Sequence, residues 1–101
     1  MEKEELIDIA KRHCYITSKE STINDRFKIV YNNAIVKIKE LIGCNENYDF
    51  NKPGLAQELL LNYCLYAWND QISHFETNYM SDIQKCRRQI EVENYANKSS
   101  N

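Results

Sequence analysis

Leu61, Leu65, Trp68, Ile72, Phe75 and Tyr79 follow one another at steps of four, three, four, three and four. That spacing places large apolar side chains on one stripe of a helix. The stripe continues through Ile83, Cys86 and Ile90, so the pattern predicts one helix from Pro53 to about Val92, roughly 60 Å long at 1.5 Å per residue. Its halves differ. Between Leu55 and Trp68 eleven of fourteen residues are apolar or aromatic, on nearly every face, and a helix apolar all round has to be surrounded by other helices. From Asn69 to Val92 the apolar positions narrow to a seam of the kind one helix makes with one partner. The first half is therefore expected in the core, and the second as a projecting arm. At Phe75-Tyr79-Ile83 two steps of four occur in succession, a stutter that locally unwinds a coiled-coil seam and supports a change of partner there. A break, if present, is expected near Thr77-Asn78, where the arm would fold back.

Two further helices precede this one. Leu6, Ile7, Ile9 and Ala10 stand behind an acidic first turn (Glu2, Glu4, Glu5) and before Lys11-Arg12, which matches the polarity of the helix dipole and predicts a short helix from Glu2 to about Cys14. Tyr15-Ile16-Thr17 reads as extended and Ser18 to Ser21 as a polar connector. Ser21 or Thr22 is the expected N-cap of a second helix. Its stripe is Ile23, Phe27, Val30, Ala34, Ile38 and Leu41, widened by Tyr31, Ile35 and Ile42, and Gly43 is its stop because glycine takes the left-handed conformation readily. Cys44 to Lys52 has the Asn and Asp content of a loop, which Tyr48 and Phe50 could pin to the core. Pro53 fits the first turn of the third helix. The sequence thus predicts an all-α fold: a small bundle of three main helices with a long C-terminal helix projecting as an arm. Residues 1–94 form a single domain and 95–101 a disordered tail.

Composition agrees with this picture. The chain has 101 residues, 43% hydrophobic and 28% charged, with only two Gly and one Pro, and so few breakers favour long helices over a turn-rich sandwich. A formal net charge of −2 supplies no global attraction to nucleic acid or an anionic membrane. The longest run of large aliphatic residues is Leu59-Leu60-Leu61, far short of a membrane span. The opening MEKEE lacks the basic-then-apolar pattern of a signal peptide, and the reading expects a cytoplasmic protein with reduced thiols. Cys14, Cys44, Cys64 and Cys86 contain no CxxC pair.

Candidate chemistry is sparse. His13-Cys14, His74, Cys64 and Cys86 could be assembled on paper into a zinc set, but only His13 and Cys14 are close in sequence, whereas structural zinc sites show paired ligands. No nucleophile motif or glycine-rich phosphate loop is present. The expectation is no metal, no cofactor and no catalytic residues. Lys85, Arg87 and Arg88 form a basic cluster in the arm, a candidate contact for an acidic partner or for DNA in a channel. The simpler account is a solvated face with Asp82–Lys85 and Arg88–Glu91 pairs. Phe75, Tyr79 and Ile83, with Asp82 beside them, are the candidate protein interface, since they lie where an intramolecular partner is least assured.

The order of these features resembles a phage family. A short helix, YIT and a polar connector, the helix IVYNNAIVKIKELIG, a loop ending in Pro53 and a long helix ending FETNYMSDIQKCRRQIEVE are similar to the small head–tail connector proteins of tailed bacteriophages and prophages, also called head-completion or DNA-packaging proteins. The similarity spans about Glu4 to Glu93, and is carried most by Ala34 to Gly43, Phe75-Glu76, Tyr79 and Asp82-Ile83. The Asn-rich loop Cys44 to Asn51 and the four cysteines depart from it. The resemblance implies a ring homo-oligomer, typically a dodecamer, attached below the portal protein, extending the DNA channel and offering a dock to a tail-side or stopper protein. DNA would pass without sequence-specific binding, no membrane would be involved, and the protein would move from the host cytoplasm to the head–tail junction of the virion. A ring needs two different patches on each subunit. The alternative reading is a small helical regulator of a mobile element, DNA-binding or antitoxin-like. The Tyr15 to Ser21 connector is too long for a helix-turn-helix and the second helix carries few cations, which counts against it.

Overall fold

Glycine, tyrosine and aspartate each end a helix in this chain, and where they do so sets the architecture. The structure, a computed structural model, describes residues 5–99. Its order is α1 (Leu6–His13), α2 (Ser21–Ile42), α3 (Leu55–Trp68), a 3-10 turn (Ile72–His74) and α4 (Phe75–Ser99). The fold is all-α, with no strand among the described residues.

α2 follows its predicted stripe. Phe27, Ala34, Ile38 and Ile42 are buried, and Ile23, Val30, Tyr31, Ile35 and Leu41 are half-buried. Gly43 stops it at φ 67°, its N–H bonding back to the Lys39 carbonyl at 3.0 Å. The N-terminus differs from expectation: Ser21 is already helical, Glu20 holds the cap position, and no side chain caps the helix. The loop after Gly43 is fixed by Phe50, which is buried, by an edge-to-face Tyr48–Phe50 pair with centroids 5.2 Å apart, and by Gln57 Nε2 donating to the Phe50 carbonyl at 3.0 Å. Pro53 lies outside α3, with Gly54 at its N-cap.

The single long helix of the sequence reading is two helices. α3 ends at Trp68, and the Asp70 and Gln71 N–H groups turn back to the Ala67 and Tyr66 carbonyls at 3.2 and 2.7 Å. This is the Schellman pattern, with Asp70 in the left-handed conformation at φ 59°. The break therefore comes before Thr77-Asn78, which lie inside α4. α4 does not project from Asn69. It folds back so that Phe75, Ile83, Cys86 and Ile90 are all buried. Phe75 meets Tyr63 and Tyr66 late in α3, while Ile90 lies beside Leu55 and Ala56 at its start, so the two helices run antiparallel.

α1 ends by the same device, with Tyr15 left-handed at φ 62° and the Tyr15 and Ile16 N–H groups bonded to the Arg12 and Lys11 carbonyls. The segment predicted as extended is thus a helix stop. α1 packs on α2 and α3 through Leu6, Ala10 and Cys14, His13 Nε2 lies 2.9 Å from Asn62 Oδ1, and Lys11 Nζ bonds Asn24 Oδ1. α4 covers another side of the α2–α3 pair and makes no contact with α1 among the described residues. The result is a slab of 49 × 37 × 18 Å, about two helices deep at usual helix diameters. The helical bounds place 95–99 in α4 rather than in a disordered tail; the predicted start of α1 at Glu2 and positions 100–101 lie outside the described residues.

Candidate interaction surfaces

The candidate seam on α4 is mostly interior. Phe75 has no exposed surface and centres an aromatic cluster. Its ring centroid is 4.9 Å from Tyr63 and 5.6 Å from Tyr66, both edge-to-face, and 4.8 Å from Tyr79 in a stacked pair. Ile83 is buried and Tyr79 half-buried, so neither offers a docking surface; of the four proposed residues only Asp82 is exposed. The cause is the Asp70 turn, which supplies α4 with an intramolecular partner. Burial raises the Tyr79 phenol above its ordinary range, followed by the neighbouring Tyr66.

Lys85, Arg87 and Arg88 are exposed, but they do not form one patch. Arg87 lines a shallow groove between α2 and α4 with Leu41, Met80 and Gln84. Lys85 and Arg88 lie along another face of α4, bordered by Asp82 and Glu93, with Ser81, Gln89 and Val92. The expected Asp82–Lys85 and Arg88–Glu91 ion pairs do not form among the described residues. An ion pair does join α2 to the first turn of α4, Lys37 to Glu76 at 3.5 Å.

Two stretches carry exposed apolar residues, the first of them off the predicted stripe of α2. On α2, Ile29 is 63% and Val36 58% exposed. They sit two turns apart on the side opposite Phe27, Ala34 and Ile38, with Asp25, Asn32, Asn33 and Glu40 around them. The signal was available: both residues fall off the core stripe at a separation of seven. On α4, Ile90 is the last buried position, and residues 91–96 are all exposed, including Val92 at 67% and Tyr95 at 77%. The arm is therefore short. The stretch 91–99 carries the helix about 14 Å past Ile90, its last buried position among the described side chains.

The histidines and cysteines do not converge. No group of three or more His, Cys, Asp or Glu that could hold a metal occurs among the described residues. The four thiols are free, and burial pushes Cys64 up to about 12 and Cys14 and Cys86 to about 11. Thiols held protonated in this way are poor nucleophiles at neutral pH. A pocket at the α3–α4 corner is lined by Leu65, Tyr66, Asn69, Gln71, His74 and Asn78, with Asn78 Nδ2 donating to the Tyr66 hydroxyl at 3.2 Å. No helix among the described residues is long and apolar enough to cross a membrane. Compared with known proteins, the chain matches no family model, no curated protein and no solved structure.

Proposed function

We propose that this chain is a structural, non-catalytic adaptor of a tailed bacteriophage or prophage, which assembles as a ring between portal and tail and extends the DNA channel. The observation that carries the reading is the presence of exposed aliphatic residues on two different helices, Ile29 and Val36 on α2 and Val92 on α4. Closed cyclic assembly uses two unlike patches on each subunit, and exposed apolar positions on a small surface are natural candidates for them. The resemblance of the sequence to the connector family supports it as well, with the single long final helix of that resemblance divided here into α3 and α4. In this reading the interface is moved from the Phe75 seam, which is core, to the outer faces of α2 and α4. Lys85 and Arg88 would face a partner subunit or the portal, and DNA would pass without specific binding.

The test is the mass of the purified chain by light scattering, alone and mixed with a portal protein of the same phage, for wild type, Val36→Asp and Val92→Asp. The expected result is a ring, or a portal-dependent complex, that either substitution weakens while circular dichroism is unchanged. A monomer or simple dimer that ignores the portal protein overturns the proposal; salt-dependent retardation of DNA by such a species would favour the regulator.

A further inference from the structure

We propose that the outer stripe of α2 receives the C-terminal turns of α4 from a second copy of this chain. The stripe has a definite order: Asp25, Ile29, Val36 and Glu40 at steps of four, seven and four, with Asn32 and Asn33 at its centre, all exposed. Most cations of α2 are engaged elsewhere. Arg26 lies 5.2 Å over the Trp68 ring, Lys37 pairs with Glu76, and Lys39 Nζ bonds the Glu46 carbonyl at 2.6 Å. Lys28 stands at the flank beside Glu5 and Asn32. Asp25 and Glu40 make no ion pair among the described residues, so the apolar pair is bracketed by two carboxylates that no ion pair holds.

Those carboxylates decide the occupant. The stripe reads alike from either end, and its aliphatic content alone would allow α2 to pair with α2 of another copy. Antiparallel pairing sets Ile29 on Val36 but places Asp25 against Glu40; parallel pairing places each acid against itself. Either way like charges close both ends of a small apolar contact, which disfavours it. The outer face of α4 has the opposite pattern, with Lys85 and Arg88 preceding Val92. Arg88 to Val92 is four residues, the same step as Asp25 to Ile29 and Val36 to Glu40. Arg88 therefore meets Asp25 as Val92 lands on Ile29 if the helices run parallel, or Glu40 as Val92 lands on Val36 if they run antiparallel. Asp82 and Glu93 border the same face, so the four-residue step from Arg88 to Val92, and not the net charge of the face, carries the match.

This contact joins two unlike patches, so every added copy leaves one of each for the next. It deepens the ring reading and rests on it for why the chain meets copies of itself. The test uses the full chain and two charge-reversed variants, Asp25→Lys with Glu40→Lys and Lys85→Glu with Arg88→Glu, followed by sedimentation over a concentration series. Each variant alone is expected to associate about tenfold more weakly, since the attraction between Arg88 and its carboxylate becomes a repulsion. An equimolar mixture restores assembly, because every α2 stripe then finds an oppositely charged α4 on the other variant. Added salt weakens the wild-type assembly. Variants that assemble like wild type, or a mixture that does not recover, overturn the inference. A wild type that binds portal protein yet never self-associates overturns it too while leaving the proposed function standing. Charge-sensitive self-association into open chains rather than a ring, with no portal binding, supports the inference and removes the proposed function.

Discussion

Phe75 shows what a single side chain decides here. A sequence pattern that assigns it to an outward seam makes Phe75→Ala an interface variant, whereas its full burial among Tyr63, Tyr66 and Tyr79 makes it a core variant. The expected cost is about 3–5 kcal/mol of folding stability, read as a lower urea midpoint of the monomer, with no specific effect on portal binding at temperatures where the variant stays folded. The thiols give a pH-dependent counterpart. Cys14, Cys64 and Cys86 have folded-state values raised from 9.0 to about 11, 12 and 11 by burial. In the unfolded chain they lose their protons near the ordinary value, so above it the unfolded state binds fewer protons than the folded one. The contribution of these groups is fully present below about pH 9 and is lost as pH rises through about 11 to 12. Urea midpoints measured across the alkaline range are expected to fall over that window. A flat profile up to pH 11 would show that the thiols are not shielded as the structure has them.

At the scale of elements, the three helix stops explain what the sequence made legible. α1, α2 and α3 each end at a left-handed residue, Tyr15, Gly43 and Asp70. Only the glycine announces itself in the sequence, so the predicted end of α2 coincides with the observed one, whereas the pattern predicts extended chain at Tyr15 and an unbroken helix through Asp70. The Asp70 turn also fell inside a stripe that continued without interruption, because Ile72 keeps the spacing although it is 46% exposed. α3 hid its face for a related reason. Its buried positions are Ala56, Leu59, Leu60, Tyr63 and Cys64 rather than Leu61 and Leu65, and in a helix apolar all round periodicity cannot select the face. On α4 the spacing marks the side that packs, with Phe75, Ile83, Cys86 and Ile90 buried, but not what it packs against. Tyr15 is 85% exposed, so Tyr15→Gly removes left-handed strain without emptying any core space; a gain of about 1 kcal/mol is expected. Gly43→Ala should lose about as much at φ 67°, although a Cβ there meets nothing within 4 Å. Chemical denaturation of both variants checks the pair of opposite signs, and a loss in Tyr15→Gly would show that the tyrosine ring holds the α1–α2 connector in place.

For the whole molecule, the radius of gyration of 14.7 Å exceeds the roughly 13 Å expected of a globular chain of this length. The excess follows from the flat packing of α1 and α4 against the α2–α3 pair and from the end of α4 that outruns it. On the proposed ring reading, folding and assembly fall to separate parts of one helix. Up to Ile90, α4 contributes Phe75, Ile83, Cys86 and Ile90 to the core; from 91 to 96 it contributes no buried side chain. An isolated helical end of this length has little intrinsic stability, so its ordering is worth most when a partner covers it. A chain stopped after Glu91 is accordingly expected to unfold cooperatively within about 1 kcal/mol of the full-length protein, since few favourable contacts are removed, and to lose self-association because Val92 is gone. Both readouts come from one preparation, by urea denaturation and by sedimentation. A large drop in the urea midpoint would mean that the last turns belong to the core after all. Unchanged association would mean that copies meet through some other face, and the α2 stripe would then need a different occupant.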